Sequence, residues 1–328
     1  MLSPSPLYRR GYTGYVRRFT PTVLVIAAAG LLTVIQASCK GPAESGPVAI
    51  HWMSYDSDTE GLGIIEKAGL FIRVKLDGKD VLVQLDTGAT NTIFYRQVLD
   101  RLGIGYKLGR LDPKDPRGVV YNGTVPSIQL GNRLYRNVAV KIWDVPVDVS
   151  KLESGVIKAG DIGCSLFKDS VLLLDFANDQ ISILNSVPQL DNGYRVPIKL
   201  VNGRPVFSGT VGSHELVILY DTGASAWPLI VTTSLFESLF GDEALASSDF
   251  TVDVTSWGKR VYLLGMKADL SLEAAGANFP LKTVWGSELV DQLQEVLGVN
   301  AIVGNALFAG AKVYIDFRGK TIVVMPAL

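Results

Sequence analysis

The chain has 328 residues, 48% of them hydrophobic and 19% charged, with a formal net charge of −1. That length accommodates two domains with proper cores, and the balanced charge offers no basic face of the kind nucleic-acid binding requires. The 2 Cys and 2 His stand far apart, so no zinc spacing arises and no metal or other cofactor is expected.

In chain order, Arg9, Arg10, Arg17 and Arg18 precede an apolar run from Val23 to Ile35, followed by Gln36-Ala37-Ser38-Cys39. A basic start, a short apolar stretch and small residues before a possible cut site read as an export signal over residues 1–38. The run is shorter than the roughly 20 residues that span a bilayer. Cys39 sits where a bacterial lipoprotein carries its lipidated cysteine; Ala37 and Ser38 suit that motif and Gln36 departs from it. Lipid attachment, cleavage with release, and an uncleaved membrane anchor stay open, and each implies an exported protein, membrane-anchored at the cell envelope or periplasmic or secreted. Residues 39–64 follow as a tether, Lys40 to Gly46, and a strand over Val48 to Tyr55.

Leu70 to Leu85 then reads as strand, Asp77-Gly78 turn, strand. It runs into Asp86-Thr87-Gly88-Ala89-Thr90. A helix is expected from Phe94 to Leu102, ending at Gly103. Val119 to Val125 reads as strand, Asn122-Gly123 turn, strand. After Gly160-Asp161-Ile162-Gly163 and Asp175-Phe176, a junction is expected near Ser186 to Tyr194.

The order then repeats. Val206 to Tyr220 is a second hairpin, turning around Gly212-Ser213, and it runs into Asp221-Thr222-Gly223-Ala224-Ser225. Helices are expected over Ser234 to Phe240 and Glu288 to Leu297, ending at Gly241 and Gly298. Val303-Gly304 and Asp316-Phe317 match Ile162-Gly163 and Asp175-Phe176, both at an offset of 141 residues. Landmarks recurring in one order mark a duplicated unit of about 140 residues.

Two Asp-Thr-Gly-Ala loops, each after an apolar strand, would bring two carboxylates together. Like charges about 3 Å apart cannot both ionise, so one proton is shared and the site holds an acid and a base. With these motifs the chain resembles the pepsin-like, two-lobed aspartic peptidases, the alanines after Gly88 and Gly223 being closer to the retroviral type. The resemblance covers residues 65 to 328. Ala301-Ile302-Val303-Gly304 fits the family's apolar-apolar-Gly segment, and the first copy departs from it by carrying Asp161.

The resemblance implies an all-β, bilobal pepsin-like acid protease fold: two homologous β-barrel-like lobes, residues 65–190 and 191–328, with a cleft between them. It implies peptide-bond hydrolysis by a water activated between Asp86 and Asp221. Gly88 and Gly223 would let backbone N–H groups reach the carboxylates, Thr87 and Thr222 would bond across the junction, and Thr90 and Ser225 would support the loops. Tyr121 resembles the tyrosine of a flap closing over substrate, and Trp257 holds the comparable place in the second half. A peptide or protein substrate and a monomer follow, with the membrane engaged through Cys39 or the N-terminal segment. The alternative is a catalytically silent pepsin-fold envelope protein that binds a peptide or partner. No self-inhibiting prosegment is expected, because the stretch before the first hairpin is short and Asp56-Ser57-Asp58-Thr59-Glu60 is acidic.

Overall fold

The computed structural model describes residues 44–57, 62–115, 117–147, 157–256 and 258–326. The export segment, Cys39 and Trp257 lie outside the described residues. Strands dominate, and the three α-helices among the described residues are short.

The first hairpin joins strand Ile64–Leu76 to strand Lys79–Leu85. Asp77 and Gly78 turn the chain with φ of 48° and 80°, both in the left-handed region that a two-residue hairpin turn uses. Lys79–Leu85 exposes Lys79 and Asp80 and buries Val81, Val83 and Leu85, so its period of two seats one face in the core. The second hairpin, Arg204–Val211 with His214–Tyr220, repeats this plan and turns at Gly212. The helices are Arg96–Leu102, Thr233–Phe240 and Glu288–Leu297. The first starts later than its sequence suggests, because Ile93–Tyr95 is consumed as a strand.

Each motif strand has a parallel partner from far along the chain. Lys79–Leu85 pairs with Lys158–Ile162, placing Leu85 opposite Ile162. His214–Tyr220 pairs with Ala301–Val303, placing Tyr220 opposite Val303. Asp161 does not disturb this threading: strand alternation turns it to the face opposite buried Ile162, where its side chain is only partly buried.

The strands form a 13-stranded and an 8-stranded sheet. The 8-stranded sheet belongs to the second half. The larger sheet combines the first half's strands with Tyr194–Pro197, Lys312–Asp316 and Thr321–Met325 from the chain's end. Lys312–Asp316 lies antiparallel to Val171–Asp175, with Tyr314 opposite Leu173. Those two residues are themselves 141 apart, the offset of the repeat. A local two-fold axis therefore passes between them. Val48–Asp56 pairs with Ile64–Leu76 on one side and Gln180–Leu184 on the other, so this segment is built into the sheet.

Asn122 and Gly123 form no turn. Both lie inside strand Val120–Leu130, and the hairpin connection falls earlier, between Leu111 and Val120. Gly123 is needed for close approach: a Cβ there would meet the Lys107 carbonyl oxygen at 2.8 Å on the neighbouring strand. Tyr121 is half-buried and packs against the main core, opposite Ile142.

Candidate active site

The two Asp-Thr-Gly-Ala loops meet. Each begins where a strand ends against its parallel partner: Asp86 N–H donates to Ile162 O at 3.0 Å, and Asp221 N–H to Val303 O at 2.9 Å. The loops are then locked by their threonines. Thr87 N–H donates to Thr222 Oγ1 at 2.9 Å, and Thr222 N–H to Thr87 Oγ1 at 3.0 Å. Each hydroxyl in turn donates to the chain entering the other loop, Thr87 Oγ1 to Tyr220 O at 2.8 Å and Thr222 Oγ1 to Leu85 O at 2.7 Å. Both threonines are fully buried. Four reciprocal bonds thus fix the two aspartates relative to each other.

The carboxyl groups of Asp86 and Asp221 hydrogen-bond each other. Protein encloses their flanks, yet each side chain keeps some exposed surface. Their surroundings differ. Asp221 Oδ1 accepts from Gly223 N–H at 2.7 Å and from Gly88 N–H at 3.2 Å, and the Arg204 guanidinium also favours its ionised form. Among the described residues, one backbone donor reaches Asp86 Oδ1, Ala89 N–H at 2.9 Å. Burial pushes the Asp86 pKa well up, with the charges of Asp221 and Asp161 adding to it. Burial also raises Asp221, but the two backbone donors and the Asp86 proton oppose the rise. Both carboxyls are thus pushed above the ordinary carboxylate range, Asp86 the more so, and the two titrate as a unit.

The glycines are required by space. A Cβ on Gly88 would overlap the Asp221 carboxylate, and one on Gly223 would lie 3.0–3.2 Å from the two carboxylates. Behind the loops, Gly163 packs against the Ala89 and Asn91 carbonyls, and Gly304 against those of Ala224 and Trp227. Neither position admits a side chain.

Thr90 and Ser225 brace the loops without touching the carboxylates. Thr90 Oγ1 donates to Asn202 O at 2.8 Å; Ser225 Oγ donates to Thr222 O at 2.7 Å and accepts from Asn305 Nδ2 at 2.7 Å. Cys164, one residue after Gly163, and Asn305, one after Gly304, play matching parts. Cys164 Sγ donates to Thr87 O at 3.1 Å, and Asn305 Nδ2 to Thr222 O at 3.2 Å. Burial pushes the Cys164 thiol well up, so it stays a packed, neutral donor.

Two residues near the pair carry no signal in the motifs. Arg204, at the start of its hairpin, donates through Nε to the Gly88 carbonyl and lies close enough to feel both aspartates. Arg117, in the connection before strand Val120–Leu130, influences Asp161 and Arg204. Only their long-range placement reveals them. Among the described residues, no cluster of three or more His, Cys, Asp or Glu could hold a metal ion, and no helix is long and apolar enough to cross a membrane.

Residues 72–163 match the model of the aspartyl protease family. The matched segment runs from within the first hairpin, through Asp86 and its loop, to Gly163. No curated protein matches the chain.

Proposed function

We propose that this protein is a bilobal, pepsin-like aspartic endopeptidase whose single active site is completed by the two halves of one chain. The observation that carries this reading is the meeting of the Asp86 and Asp221 carboxyls, Asp221 held by two backbone donors and Asp86 by one. Asp221, supported by Gly223 N–H, Gly88 N–H and Arg204, takes the proton of a water attacking the peptide carbonyl. Asp86 donates its proton to the carbonyl oxygen, and the tetrahedral species collapses with return of a proton to the leaving amine. The family match over residues 72–163 supports the first half of this assignment. The threonine lock and the repeated glycine packing extend it to the second half.

Because both aspartates belong to one polypeptide, the active form is a monomer and its substrate an extended peptide or unfolded protein. The hairpin whose connection lies between Leu111 and Val120 is the flap in this reading, with Tyr121 opposite Leu111 at the last strand pair before that connection. Residues 65–190 and 191–328 are its lobes, and the N-terminal segment exports the protein or holds it at the envelope, through Cys39 where lipidated. A digest of a peptide library between pH 3 and 7, with and without a transition-state-analogue inhibitor of aspartic peptidases, tests the reading. Inhibitor-sensitive cleavage in mild acid supports it; saturable peptide binding without cleavage would support the silent binder instead.

A further inference from the structure

Among the described residues, Asp161 is an acidic side chain whose charge acts on Asp86 and which the chemistry above does not use. It lies on strand Lys158–Ile162, opposite Gln84 on one neighbouring strand and Ile93 on the other. Gln84 is two residues before Asp86, and the charge of Asp161 is felt directly at Asp86. Its Oδ1 is buried and has no hydrogen-bond partner. Lys158 Nζ forms an ion pair with it at 3.8 Å, beyond hydrogen-bonding distance, while the side chain as a whole keeps 19% of its surface. A carboxyl that is accessible at one side and short of donors at the other is an incomplete site.

The second half shows what this position looks like when it is only structural. There the corresponding residue is Ile302, opposite Ile230 and beside Leu219. It is 2% exposed and packs in a cluster with Trp285 and with Ile65 from the first hairpin. One side of the aspartate pair is thus sealed by apolar side chains, and the other presents a carboxyl. Around Asp161 the surroundings are mixed: Gln84 and Lys158 are polar, while Ile93 clusters with Trp143, against which Tyr95 packs at 5.8 Å between ring centroids.

We infer that Asp161 is a specificity-determining residue that receives the side chain of a lysine or arginine flanking the scissile bond. This deepens the peptidase reading and rests on it. An aliphatic stem lies against the partly exposed Tyr95 while its cationic head pairs with the exposed side of the Asp161 carboxyl. Lys158 and Arg117 temper the carboxyl's charge without hydrogen-bonding it. Burial raises the pKa of the empty carboxyl, which ionises when the cation arrives.

The test uses the full chain and a matched pair of peptides differing only by lysine or norleucine at the position the library selects. Wild type should cleave the lysine peptide about 10- to 100-fold more efficiently in kcat/KM, the range of a charge-assisted hydrogen bond. Asp161→Leu, which makes this position resemble Ile302, should reverse that preference, and Asp161→Asn should reduce it. Binding of both peptides to Asp221→Asn is measured in parallel, so the preference is read even without turnover. Preference in binding but no cleavage by wild type would overturn the peptidase reading and keep the cation pocket. Equal handling of the two peptides in both assays, or a lysine preference that survives Asp161→Leu, would overturn the pocket. A variant that loses thermal stability with its preference unchanged would make Asp161 a structural partner of Lys158 and refute the inference.

Discussion

Replacing Thr87 by valine is the sharpest test of how the two halves are joined. Valine keeps the branched shape and removes one hydroxyl, which donates to Tyr220 O at 2.8 Å and accepts from Thr222 N–H at 3.0 Å. Both partners are backbone groups of fully buried residues. Each orphaned group costs about 1–3 kcal/mol, or roughly 2–6 kcal/mol together. For a unit of this size that corresponds to a fall in Tm on the order of 3–10 °C. Thr87→Ser keeps the hydroxyl and loses one buried methyl, worth about 1 kcal/mol, so it should fall by only a few degrees. Scanning calorimetry of the two variants beside wild type decides the matter. A valine variant no less stable than the serine one would refute the reasoning, because the hydroxyl would then contribute nothing.

Other consequences can be checked alongside. Gly88→Ala should abolish the site, because its Cβ overlaps the Asp221 carboxylate, and Gly223→Ala, with 3.0–3.2 Å of clearance, should be milder; peptide turnover of the two variants compares them, and equal losses would contradict the geometry. Asp86 has its pKa raised on folding, so its stabilising contribution is complete below the unfolded value of about 4 and is lost as pH rises through the folded value. Urea midpoints across that range should therefore decline for wild type and decline less for Asp86→Asn; identical slopes would show that Asp86 is not perturbed. Cys164, buried and bonded to Thr87 O, should resist a thiol reagent in a Cys39→Ser background until denaturant is added. Labelling of the native protein would contradict that packing.

Much of this was legible in the sequence because its signals are local. Asp77-Gly78 sets a hairpin by its own backbone preference, and Gly103 and Gly298 stop their helices in the left-handed conformation at φ of 62° and 70°. The two Asp-Thr-Gly-Ala loops were recognisable as a pair because the repeat fixes their order. The shared sheet was not readable, since pairing Leu173 with Tyr314 depends on how both halves close. Asn122-Gly123 misled for a related reason: the dipeptide favours a turn, but Gly123 is there to let strand Lys107–Leu111 approach. Arg204 left no trace in the motif because its partner, the Gly88 carbonyl, lies 116 residues away. Asp161 was visible as a departure from the second copy, yet its unsatisfied oxygen belongs to the folded state alone.

The central claim is that Asp86 and Asp221 act together as one acid–base pair. The most direct measurement is mass-spectrometric digestion of an unfolded protein at mildly acidic pH by wild type, Asp86→Asn and Asp221→Asn at equal concentration, with circular dichroism confirming each fold. The account predicts fragments from wild type and a loss of about 100-fold or more in rate for each single variant, both remaining folded. Substantial cleavage by either folded variant would contradict it.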